Sequence, residues 1–225
     1  MFTRYAVYVT PASDSAFAAF GASWLGWDSA AGTPLPHPQV PVDVASITAT
    51  PRRYGFHGTV KPPFRLAKGK DEAGLQSALS DLCQSMAPVT LPGLRLARLG
   101  RFLALVPDGD ATDLGALAAR VVQELDPFRA PPTGAELAKR RASGLTAAQN
   151  AHLERWGYPY VLDQFRFHMT LTGRLDKDTA AATEAALTPH LDQLPLAPFR
   201  IDALTLLGED GAGFFHEISR HGLTG

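Results

Sequence analysis

The chain has 225 residues, 45% hydrophobic and 19% charged, with 21 Lys plus Arg against 22 Asp plus Glu and a formal net charge of -1. This is the make-up of an ordinary folded chain, and it excludes a disordered or membrane-spanning one. A near-neutral balance also excludes broad, charge-driven binding to long nucleic acid, while leaving room for a local basic pocket. The length allows one large domain or two small lobes around a shared core.

The N-terminal run "MFTRYAVYVTPASD" lacks the apolar stretch and small-residue cleavage pattern of a signal peptide. Its segment Arg4 to Thr10 is β-branched and aromatic, which predicts a first strand. With a lone Cys83 that has no internal partner, a cytoplasmic location is expected. Phe17, Phe20 and Trp24 then recur at helical spacing behind a Ser/Asp cap, and a Pro-rich connector over Thr33 to Val42 follows. Leu75, Leu79 and Leu82 mark a helix over Asp71 to Met86. "VTLPGLRLARLGRFLALVP" reads as two strands about a turn at Gly100, and Asp113 to Leu125 as a helix.

The second half repeats this order. "FRFHMTLTGRL" is the predicted strand, "DKDTAAATEAALTPHLDQL" the helix, and "FRIDALTLLGEDGAGFFHEIS" a hairpin with a Gly-rich turn. His57 stands 43 positions before Gly100, and His168 stands 43 before Gly211. Two strand–helix–hairpin units at matched spacing, over about 44–110 and 165–220, suggest a duplicated lobe. Between them lies an insert, about 130–164, with predicted helices over Ala135 to Arg141 and over Thr146 to Trp156, the latter with Thr146 as N-cap. Its Lys139, Arg140 and Arg141 form either a solvated helix face or a basic lid over an anionic substrate.

Each unit carries a His-x-Thr: His57-Gly58-Thr59 and His168-Met169-Thr170. On a strand, i and i+2 point the same way, so each pair sends an imidazole and a hydroxyl into one space. Imidazole is suited to moving a proton near neutral pH, and a Thr hydroxyl to holding a phosphoryl oxygen. The same alternation puts Lys61 beside the first pair, and Arg166 and Thr172 beside the second. Arg53 and Tyr54 precede the first motif, and Tyr158 and Tyr160 the second, as candidates for the cleft mouth or a lid. His37 and His152 are expected to be solvent-exposed, and His216 to be structural.

The strings "RRYGFHGTVKPPF", "LERWGYPY" and "FRFHMTLTGRL" resemble the two-histidine (2H) phosphoesterase superfamily, and within it a bacterial branch commonly encoded with phosphonate-utilisation genes. The resemblance covers nearly the whole chain. It implies a bilobal, duplicated α+β fold with two antiparallel sheets around a central cleft and helices outside. It further implies metal-independent phosphodiesterase chemistry on a small phosphorylated substrate, a cyclic phosphodiester or a phosphonate-derived intermediate, with no cofactor. His57 and His168 match the family's catalytic histidines, and Thr59 and Thr170 its phosphate-binding threonines. The insert departs from compact members, so a substrate smaller than an RNA end fits the pattern.

Three other readings compete. A metal hydrolase needs three or four converging ligands, and Asp163 and Asp202 are the nearest acids. A non-catalytic binder of phosphorylated or phosphonate metabolites would use the same threonines without needing both histidines. An RNA-binding module would need exposed aromatics on a basic surface, whereas Phe165 and Phe167 read as core.

Overall fold

A computed structural model describes residues 2–225. Strand β1 (Arg4–Val9) leads to α1 (Ala16–Leu25), a small ribbon of β2 (Trp27–Asp28) and β3 (Thr33–Pro34), the short α2 (Val44–Ile47) and a 3-10 turn, Pro51–Tyr54. Then come β4 (Gly58–Phe64), α3 (Glu72–Gln84), β5 (Val89–Leu91), β6 (Leu94–Leu99), β7 (Phe102–Pro107) and α4 (Thr112–Glu124). The insert holds α5 (Gly134–Arg141) and α6 (Ala147–Trp156). The chain ends with β8 (Met169–Thr170), α7 (Lys177–Leu191), β9 (Phe199–Ile201), β10 (Ala203–Glu209) and β11 (Phe215–Gly222).

The fold is a mixed α/β arrangement around one large antiparallel sheet, in the order β11-β10-β1-β4-β8-β7-β6. Where two separate sheets are expected, a four-strand half and a three-strand half meet edge to edge through a single residue pair, Gly58 with Met169. Nor does each half hold one sequence unit. The His57 strand lies with the β10–β11 hairpin, and the His168 strand with the β6–β7 hairpin. A second cross-unit pair, β5 with β9, ties the chain just ahead of both hairpins.

Alternation along β1 divides the molecule. Tyr5, Val7 and Val9 join one large core with residues of α1, α3, α4 and α7, whereas Ala6 and Tyr8 join a small cluster with Leu207, Phe215 and the partly buried Tyr54. The helices therefore cover one face, and the histidines open onto the other. Caps fix the helix starts: Asp71 and Asp176 accept backbone N–H bonds ahead of α3 and α7, and Thr133/Glu136 and Thr146/Gln149 form capping boxes in the insert. At the hairpin turns Gly100 has φ 61°, but in the second turn Gly213, not Gly211, takes the left-handed conformation at 87°. Among the described residues no helix is long and apolar enough to cross a membrane.

Candidate active site

His57 and His168 each sit one residue ahead of the central pair, on the last turn of chain before a strand begins. Continuing the antiparallel register by one residue either way sets His57 opposite Thr170 and Thr59 opposite His168. Gly58 and Met169 point toward the core, so all four polar side chains face the open side.

Both imidazoles are held alike. His57 Nδ1 lies 2.9 Å from the Gly55 carbonyl, and His168 Nδ1 lies 2.9 Å from the Arg166 carbonyl, in each case two residues back. A carbonyl only accepts, so each Nδ1 carries the proton and each Nε2 keeps its lone pair for the cleft. His57 Nε2 accepts from the Thr59 hydroxyl at 3.1 Å. The His57 ring stacks on Tyr8 at 3.7 Å between centroids, with 21° between planes. An edge of the ring reaches the cavity, but the rest is enclosed. Burial pushes its pKa down from the ordinary 6.5 to about 4; the charge His168 would carry acts the same way, against the Gly55 carbonyl. His57 is therefore a neutral base at pH 7.

A cavity of about 600 Å³ opens at the His57/Thr170 end. Thr50, Pro51, Tyr54, Phe102, Gly173 and the exposed Arg174 wall it. Reading alternation alone missed Thr50, Phe102 and Arg174, because loops and a neighbouring strand bring them in. It also missed Tyr8, although Arg4, Ala6 and Tyr8 share one face of "RYAVYV".

Of the three further expected phosphate ligands, two lie away from the cavity and the third has its hydroxyl committed. Lys61 is 2% exposed, with its ammonium donating to the Val122 carbonyl at 3.0 Å on the helix-covered side. The cause is a bulge: Tyr8 pairs with Thr59 but Val7 with Lys61, so one extra residue turns Lys61 to the other face. Arg166 precedes the short β8 and bonds the carbonyls of Asp163 and Phe165, lining a different cavity beside β6. Thr172 borders the active cavity, yet its hydroxyl is committed, donating to the Gly173 carbonyl at 2.9 Å and accepting from Leu103 N at 3.0 Å. Thr172 also explains why β8 is short, since its side chain replaces a ladder carbonyl.

Among the lid candidates, Tyr54 lies 6.2 Å from the His57 ring and stacks on Phe215 at 5.3 Å. Arg53 is exposed near the β10–β11 turn. Arg140 lies over the Tyr158 ring at 4.7 Å, and Tyr158 meets Tyr160 edge-on at 5.7 Å. Arg141 is tied within the insert to Asn150 and Glu154. His37, expected in solvent, is half-buried between the Trp24 carbonyl and Arg52; it pins the Pro-rich connector to α1. His152, also expected in solvent, is half-buried and bonds Asp163. His216 bonds Asp210 at 2.8 Å, outside the cavity. Among the described residues, no three His, Cys, Asp or Glu side chains stand together as a metal-holding group.

A family described as proteins of unknown function (DUF1045) matches residues 59–216. One curated relative, a ribose 1,5-bisphosphate phosphokinase PhnN of Janthinobacterium sp. (strain Marseille), is 43% identical over 219 residues, 94% of this chain and 48% of the relative. A PhnN of Laribacter hongkongensis (strain HLHK9) is 36% identical over 213 residues, 94% of this chain and 50% of the relative. The chain thus spans about half the length of the curated relatives it matches. Similar solved structures include a phosphoesterase at 15% identity and TM-score 0.43, and E. coli LigT complexed with 3'-AMP at 15% and 0.46, each with 100% of both chains covered.

Proposed function

The chain belongs to the DUF1045 family, and from its site we propose that it is a phosphoesterase working by paired histidine acid–base chemistry without a metal. The observation that carries this reading is the crossed pair: two imidazoles with the same Nδ1 anchor, each opposite the other motif's threonine across Gly58–Met169. The substrate is a small cyclic phosphodiester of a sugar or nucleotide, handled in the cytoplasm within phosphonate metabolism. The cavity's size and the name ribose 1,5-bisphosphate phosphokinase on both relatives support a pentose phosphate as the sugar.

In this mechanism the phosphoryl group lies over the Gly58–Met169 pair. Thr59 turns its proton from His57 Nε2 to a non-bridging oxygen, and Thr170 donates to another. His57 Nε2, freed and neutral, takes a proton from water as its oxygen attacks phosphorus. His168, which takes up a second proton on its free Nε2 to become imidazolium, gives that proton to the leaving alkoxide as the phosphorus–oxygen bond breaks. Each transfer is worth roughly 10²–10⁴ in rate, and the threonine donors stabilise the charge on phosphorus.

A panel of cyclic and linear phosphodiesters, with products identified by phosphorus NMR, tests this. Ring opening to a single monoester is expected. Tight binding of phosphorylated ligands with no turnover across the panel would leave a binding protein.

A further inference from the structure

His57 and His168 share one anchor, an Nδ1 2.9 Å from the carbonyl two residues back, yet the surroundings of their rings differ. His57 stacks on the Tyr8 ring, 3.7 Å between centroids and 21° between planes. The aromatic neighbour of His168 is Phe102, 5.8 Å away and tilted by 54°, too far and too steep to stack. Strand register explains the difference. Tyr8 is the cross-strand partner of Thr59, so its ring rises on the cleft side of the sheet, diagonally beside His57. Tyr8 is fully buried and backed by Phe215 at 5.9 Å, and Phe215 is in turn stacked on Tyr54 at 5.3 Å. The Tyr8 hydroxyl has no hydrogen-bond partner among the described residues, so the ring is what this residue gives to the site.

A hydrogen bond at Nδ1 holds one point of an imidazole and lets the ring swing about it, whereas a face contact fixes the plane. Thr59 supplies a second point while its proton rests on His57 Nε2. Once that proton turns to the phosphoryl oxygen, the Gly55 carbonyl and the Tyr8 face are the restraints left. We propose that Tyr8 is a positioning residue, whose ring fixes the plane of His57 and closes that face to water, and so breaks the equivalence of two otherwise alike histidines. The inference rests on the phosphoesterase reading and adds the residue that makes His57, not His168, the base. A phenol face also attracts a cation, but that attraction is weaker than the hydration it replaces around an enclosed imidazolium. The fall of the His57 pKa to about 4 agrees, with burial as its largest cause and His168 a further one. Tyr54 faces the ring from the 3-10 turn at 6.2 Å, and Arg174 lines the same cavity. Arg4, on the Tyr8 face of β1, is paired with Glu209.

Tyr8→Leu removes the ring and Tyr8→Phe keeps it, and both are compared with the parent by NMR titration of His57 and by pH–rate profiles on cyclic phosphodiesters. In Tyr8→Leu the His57 titration should rise from about 4 toward the ordinary 6.5, and the acid limb of kcat/KM should rise with it. Its kcat should fall by roughly ten- to a hundredfold with a smaller change in KM, the mark of a misplaced base in a site that still binds. Tyr8→Phe should restore the parent titration and profile. Tyr8→Met, which also fills the space without a ring, carries the same expectation where the leucine variant does not fold. In the parent itself the His57 ring protons should be shifted upfield by the phenol beneath them, and the shifts of a free histidine would overturn the stack. A folded Tyr8→Leu or Tyr8→Met with the His57 titration and the acid limb unmoved would overturn the positioning role while the phosphoesterase stands. The titration needs no turnover, so a raised His57 value with no phosphodiester hydrolysed by the parent would keep the hold of Tyr8 on His57 and remove the phosphoesterase.

Discussion

Gly58 and Met169, each the residue after a histidine, are cross-strand partners at the point where, among the described residues, the two halves of the sheet join. That pairing makes the site. It brings together two motifs over a hundred positions apart, and its antiparallel sense gives each histidine the other motif's threonine. The glycine is needed for a packing reason: a Cβ at position 58 would lie 2.2 Å from the Phe167 ring. Phe167 is itself buried, just ahead of His168.

Gly58→Ala is therefore expected to lower stability by about 1–3 kcal/mol, the usual cost of overpacking a filled core. It should also lower turnover, because relief requires the two halves to part where the histidines are set. Denaturant melts with kinetics check both. A variant with parent stability and activity would mean that the halves do not meet as described.

Replacing either histidine removes one of the two proton transfers. His57→Ala and His168→Ala should each cost orders of magnitude in kcat while the protein stays folded, since neither ring belongs to the large core. The double variant should be little worse than the worse single one, because the two act as a unit. Thr59→Val and Thr170→Val should each cost ~1–3 kcal/mol of transition-state binding. Near-parent turnover by either histidine variant would defeat the mechanism.

The depressed pKa of His57, about 4 against 6.5, sets a pH window. Between those values the unfolded chain binds a proton that the folded chain refuses. This contribution therefore erodes stability as pH falls from 6.5 toward 4. In kinetics the acid limb of kcat/KM should inflect near pH 4, where His57 takes up a proton and can no longer act as base. An acid limb centred at pH 6.5 or higher would reassign the base.

How much of this was legible in the sequence follows from which periodicities survive folding. The two His-x-Thr pairs were, because strand alternation is local and both motifs sit at strand starts. Capping at Thr146 was legible for the same reason. The joining of the halves was not: which hairpin each histidine strand lies beside is a long-range choice, and equal spacing within units does not reveal it. Alternation also failed wherever the ladder is irregular. Arg166 lies ahead of the first paired residue of β8, so no register fixes its direction. Tyr8 sits in a hydrophobic strand pattern, and nothing local indicates that its ring stacks on a histidine some fifty positions away.

Lys61 gives the sharpest test of the bulge. Its ammonium is enclosed on the helix side of the sheet, and burial pulls its pKa down from 10.5 to about 8, with Asp126 partly opposing and Arg129 adding to the fall. A lysine whose folded pKa is lowered penalises the folded state fully below the folded value, and the penalty fades as pH rises toward the unfolded value. Stability should therefore climb between about pH 8 and 10.5, by on the order of 3 kcal/mol at most. Lys61→Met keeps the length of the side chain and removes the titration. The climb should vanish, measured as denaturation midpoints across that range against the parent. Phosphate affinity and kcat/KM should stay at parent values, because the side chain points away from the cleft. A tenfold loss of phosphate affinity in Lys61→Met, with the pH climb retained, would put Lys61 back beside Thr59 and remove the bulge from the account.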